Sequence, residues 1–205
     1  TGSMGDEIEY LKVEMEDIVK RVEQTIKDQD QGQNAFELRF GLVAYKDRED
    51  QYVTQNTAFT DDLQKFLTAL DVLHASGGGD YPESLNEALH KGLDLGFSTD
   101  DSVKLMFVLT DAPPHLDYEQ DITYIESMKR AKKLGIKLLP IAASGVDRSA
   151  EYILRQIAQY TLAEYIFLTD DSGVGNEHKD PEVGTFEVMP LNDLLVKIIK
   201  RELGF

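Results

Sequence analysis

Residues 103–114 read VKLMFVLTDAPP, and this stretch decides the architecture. From Val103 to Leu109 the run is apolar except for Lys104, with no polar alternation. Such a strand is buried on both faces, as in a parallel sheet covered by helices on either side. It ends at Thr110-Asp111, before Pro113-Pro114. Ligands of open α/β sheets sit beyond the carboxyl ends of the strands, so Asp111 is a site candidate by position. Its blander role would be to cap a turn before the prolines.

Working outward, the pattern alternates between helix and strand. After the quoted stretch, Asp121–Leu134 reads as a helix stopped by Gly135, Lys137–Ala143 as a strand, Ser149–Tyr160 as a helix and Glu164–Leu168 as a strand. Residues 170–184 are polar and glycine-rich, a loop, and Leu191–Leu203 forms a closing amphipathic helix. Before it, Ile8, Leu11, Met15, Ile18, Val22 and Ile26 recur at steps of three and four, one face of a helix over residues 6–28. Residues 34–45 switch to a strand pattern, a shorter strand follows near Tyr52–Phe59, and Thr60 is the expected N-cap of the next helix. Gly77-Gly78-Gly79 then leads to a helix starting near Pro82. The expected fold is α/β: a doubly wound, mostly parallel central sheet with helices on both faces, as one domain over residues 1–205. Such folds normally open on a strand, whereas this sequence opens on a loop, so the first central strand is expected to be missing from the chain.

Composition bounds the function classes. Acidic residues outnumber basic ones 38 to 21, a formal charge of −17. That charge repels phosphate backbones and anionic lipid, which argues against nucleic acid as a partner and suits cations or a basic surface; solubility alone is the commoner use of such charge. There is no cysteine, hence no disulfide, thiolate nucleophile or Cys-based zinc site. No apolar run reaches the roughly 18 residues of a membrane span, so direct insertion is not expected.

Three loops fall at the expected carboxyl ends of the strands: Thr1-Gly2-Ser3, Gly77–Glu83 and Thr110–Pro114. Thr1, Ser3, Asp80 and Asp111 offer two hydroxyls and two carboxylates, a hard-oxygen set that suits Mg²⁺, Mn²⁺ or Ca²⁺. In order and spacing these motifs resemble the metal ion-dependent adhesion site of von Willebrand factor type A domains, particularly bacterial ones. Thr1-Gly2-Ser3 matches the last three positions of that family's Asp-x-Ser/Thr-x-Ser motif, Asp80 its second loop and Asp111 its third, and residues 40–47 (FGLVAYKD) resemble its second strand and turn. The resemblance implies a non-enzymatic adhesion or protein-binding module. Its metal, ligated by Thr1 and Ser3 and assisted by Asp80 and Asp111, would take a carboxylate from an acidic side chain of a partner protein. It also implies an extracytoplasmic address, in a bacterial envelope or secreted protein. The motif's leading Asp would stand two residues before Thr1, and the sequence begins at Thr1. A chain beginning there would carry an α-ammonium (pKa about 8) instead, with metal binding weak or absent.

Two other functions compete. Thr1 could be a nucleophile activated by its own amine, as in N-terminal-threonine hydrolases, though those use two stacked antiparallel sheets. Alternatively the fold is a metal-free scaffold with a vestigial site. Thr1–Met4 could also be a cloning remnant, and Asp80 a helix N-cap with Glu83 completing a capping box. Glu83 reads as a cap, Asp47 as holding its own loop, and His74, His90, His115 and His178 as packing or surface residues.

Overall fold

A computed structural model of the chain describes residues 2–30, 37–143, 145–169, 173–174 and 188–205. After a 3-10 turn at Gly2–Met4, the elements are α1 (Gly5–Asp30), β1 (Phe40–Tyr45), β2 (Thr54–Thr60), α2 (Leu63–Asp71), α3 (Leu85–Leu93), β3 (Lys104–Thr110), α4 (Tyr124–Lys133), β4 (Ile136–Ala142), α5 (Arg148–Tyr160), β5 (Ile166–Phe167) and α6 (Leu191–Glu202). Nearly all of the loop expected at 170–184 lies outside the described residues.

The apolar strands are buried on two faces because each face has its own helical layer. On β4, Leu139 and Ile141 join Ile18, Val22, Leu195 and Ile198 of α1 and α6. The alternate residues Ile136 and Leu138 join Leu85 and Leu89 of α3 and Leu154 and Ile157 of α5. This is the period-two division of a central strand in a doubly wound α/β fold. Gly92 of α3 packs so close to β3 that a Cβ there would come within 2.8 Å of the Met106 methyl.

β3, β4 and β5 form a parallel sheet in that order, and β1 and β2 form a separate antiparallel pair. Among the described strands nothing pairs with the second edge of β1 or of β3. Both strands, with α1, line a cavity of about 1320 Å³ that includes Met15, Val19, Leu42 and Phe107. Burial records the gap: every residue of β1 is half-buried and only Val108 and Thr110 of β3 are fully buried, while all of β4 except Lys137 is buried. The cavity is partly open to solvent and lies between the unpaired edges of β1 and β3 among the described strands.

Local chemistry moves several boundaries. α2 is capped by Asp62, whose side chain accepts from the Lys65 amide, and not by Thr60, which ends β2 and accepts from the Asp62 amide at 3.1 Å. α4 starts at Tyr124, three residues later than its sequence suggests, because Thr123 and Glu126 form a reciprocal capping box and Asp121 is taken by Arg48.

Candidate functional site

The chain leaving β3 is held by its own side chains. The Thr110 hydroxyl donates to the Ala112 carbonyl at 3.0 Å and accepts from the Tyr45 hydroxyl at 2.7 Å, tying the end of β3 to the end of β1. Burial pushes the Tyr45 phenol well above its ordinary range, so it stays a neutral donor. The turn after β1 grips the glycine loop. Lys46 donates to the Ser76 carbonyl at 2.7 Å, and the Asp50 carboxylate accepts from the Gly78 amide at 3.2 and 3.3 Å. Gly77 has φ +82°, and a Cβ there would overlap that carboxylate, so glycine is required. The Gly2 amide donates to the Gly77 carbonyl at 3.3 Å, which docks the amino-terminal turn on the loop.

These ties bring three of the four expected site residues together. Ser3, Asp80 and Asp111 line one pocket of about 260 Å³ with Gly77–Gly79 and Glu83. Inside it the Ser3 hydroxyl donates to Asp111 Oδ2. Asp111 is only 8% exposed, and Asp80 is exposed. Thr1 lies outside the described residues. Neither Asp80 nor Glu83 caps α3, whose cap position is Ser84. Glu83 instead forms a bridge with Pro114: its amide donates to the Pro113 carbonyl at 3.0 Å, and its carbonyl accepts from the His115 amide at 3.2 Å. That bridge leaves Glu83 5% exposed and in the pocket, a residue sequence reasoning had assigned to a cap. The only signal in the sequence was an acid straight after Pro82.

Tyr81 closes the far side, its hydroxyl donating to the Gly145 carbonyl at 2.9 Å and accepting from the Asp147 amide at 2.8 Å. The side chains offered to the pocket by Ser3, Asp80, Glu83 and Asp111 are oxygen donors, without nitrogen or sulfur. That set fits a hard divalent ion such as Mg²⁺.

A second group of charged side chains borders the first. Asp47, Asp80 and His115 each bring one ligand atom within 4.8 Å of the others. Asp47 and His115 are both buried. Ser84 Oγ donates to Asp47 Oδ1 at 3.2 Å, and His115 Nδ1 is 2.9 Å from Asp117 Oδ1. Burial pulls the His115 pKa down, but the Asp117 hydrogen bond and the nearby Asp47 and Asp117 charges outweigh it, so the net shift is upward. The pattern was invisible in sequence because its three members come from loops after β1, before α3 and after β3.

Comparison with known proteins bears on the family and the fold. A family model described as a von Willebrand factor A domain matches residues 1–177. Among solved structures, the conserved hypothetical protein BatB from Bacteroides thetaiotaomicron is similar with a TM-score of 0.62 and 12% identity, covering 97% of this chain and 89% of that one. An aerotolerance-related membrane protein from Bacteroides fragilis gives 0.55 and 12%, covering 92% and 88%. At these identities the likeness is one of fold. An ariadne-like RING finger protein of Acanthamoeba polyphaga mimivirus is 27% identical over 115 residues, 56% of this chain. The match spans only 10% of that relative's length.

Proposed function

Because the chain belongs to the von Willebrand factor A domain family, a family of protein-interaction modules that commonly bind a divalent metal, we propose that it is a non-enzymatic, cation-dependent binding module. In this reading Ser3 and Asp111, with Asp80 and Glu83 around them and Thr1 as a further ligand from the same sequence motif, hold Mg²⁺ or Mn²⁺. The ion takes its last ligand from an acidic side chain of a partner protein. The observation that carries the reading is the Ser3–Asp111 hydrogen bond, which joins two residues 108 apart in sequence at the carboxyl end of β3. A hydroxyl among the ligands adds no charge, so the ion keeps enough positive character to attract an outside carboxylate. The charge of −17 fits a cation bridge, since a bare acidic surface would repel an acidic partner.

An N-terminal-threonine hydrolase draws no support from this fold, whose helices flank a parallel sheet. We propose an extracytoplasmic address, a reading supported by the resemblance to exported bacterial domains and by a fold shared with an aerotolerance-related membrane protein. No described helix is long and apolar enough to cross a membrane.

Acetate tests the grip with the simplest carboxylate. In the part of the Mn²⁺ signal that Asp111→Ala removes, water-proton relaxation enhancement should fall as acetate displaces a coordinated water, and chloride at equal ionic strength should leave it unchanged. Enhancement that ignores acetate while Mn²⁺ stays bound would show an ion that does not take carboxylate ligands. Absence of Mn²⁺ binding would leave a metal-free scaffold.

A further inference from the structure

His115 is 3% exposed, and its Nε2 makes no hydrogen bond. The other ring nitrogen stands 2.9 Å from Asp117 Oδ1, and a carboxylate can only accept. Nδ1 therefore carries the hydrogen, and in the neutral ring Nε2 presents a lone pair. That lone pair lies 3.2 Å from Asp47 Oδ1, also an acceptor, without hydrogen-bond alignment. Two acceptors held this close repel unless a positive centre, a proton or a metal ion, lies beside both.

From this geometry we infer a second divalent-cation site, formed by His115 Nε2, Asp47 and Asp80 and distinct from the Ser3–Asp111 pocket. The His115–Asp47 spacing is that of two adjacent ligands of one ion. Ligands about 2.0–2.2 Å from a metal stand roughly 3–3.5 Å apart when adjacent, and the His115–Asp47 separation falls in that range. The surroundings are those of a supported site. A ligating histidine usually donates its other N–H to a carboxylate, and here Asp117 receives it. Ligating carboxylates are themselves hydrogen-bonded, and Ser84 Oγ donates to Asp47 Oδ1. The imidazole is fixed from its face by Tyr118, stacked at 4.2 Å between ring centres, and Arg48 covers that tyrosine at 3.8 Å. One imidazole nitrogen and two carboxylates select a borderline ion, Zn²⁺ or Mn²⁺, over Mg²⁺ or Ca²⁺. Asp80 lines both this cluster and the first pocket, so the two ions would sit side by side. The inference does not require a cation at Ser3–Asp111.

The test uses the 205-residue chain with ¹⁵N-labelled histidine at neutral pH, with Zn²⁺ as the probe. One equivalent of Zn²⁺ should move the His115 Nε2 resonance towards the metal-bound position and leave Nδ1 protonated. In parallel, competition with a chromogenic chelator should show His115→Gln and Asp47→Asn each weakening Zn²⁺ binding about tenfold or more. A His115 Nε2 resonance unmoved by Zn²⁺ in the folded wild type would overturn the site, and that readout needs no variant to fold. Zn²⁺ affinity that survives His115→Gln but falls in Asp111→Ala would also overturn it, by placing the ion in the first pocket. Failure of the Ser3–Asp111 reading is seen separately, as no response to Mg²⁺.

Discussion

Gly77 shows how tightly single residues set the site. Its φ of +82° lies where an L side chain is strained, and a Cβ would strike the Asp50 carboxylate that holds the Gly78 amide. Gly77→Ala should therefore lower stability by about 1–2 kcal/mol from the backbone alone, and more once Asp50 is displaced. Urea unfolding measures this, and a loss near zero would mean that the loop relaxes freely. At the same scale, the site was partly legible in the sequence. Asp111 could be read because it follows an apolar strand, and Ser3 because it stands in a recognisable motif. Glu83 and His115 could not, because their places depend on the bridge between residues 83 and 114. No local pattern encodes that contact.

Elements were legible where periodicity was long and blurred where two side chains compete for one cap. The single face of α1 and the apolar run of β3 predicted those elements to within a few residues. Thr60 and Asp62 are both good caps, and only the backbone path, with Asp62 extended at φ −80° and ψ 101°, selects Asp62. Between elements, α6 is tied to β4 through Glu202 and Lys137. Burial raises the Glu202 pKa, but hydrogen bonds from Lys137 and Arg201 outweigh it and the net shift is downward from 4.5. A carboxyl with a lowered folded pKa stabilises fully above its unfolded value and loses that contribution as pH falls through the folded one. Glu202→Gln should therefore lower the melting temperature at pH 7, and the gap to wild type should close as the pH drops below about 4.5. A gap that stays constant from pH 7 to pH 3 would remove the ion pair from the stability of this packing.

At the scale of the whole molecule, the parallel sheet was readable from unbroken apolar strands. That β1 and β2 pair antiparallel, apart from the other three strands, was not readable, because pairing depends on which edge a strand meets. The separation has a measurable consequence. Among the described strands β3 bonds to β4 along one edge only, so alternate amides of Lys104–Thr110 face the cavity without a described strand partner. In amide hydrogen exchange those amides should exchange faster than their β4-bonded neighbours. Uniform protection along β3 would mean that the second edge is paired in solution.

The central claim is that a divalent cation sits at Ser3 and Asp111, and Mg²⁺-dependent thermal unfolding of wild type beside Asp111→Ala tests it most directly. Mg²⁺ at about a hundred times its dissociation constant should add about 2.7 kcal/mol, a rise of roughly 5–10 °C for a domain of this size. In Asp111→Ala that rise should vanish. An equal rise in both proteins, or none in wild type at millimolar Mg²⁺, would contradict the claim.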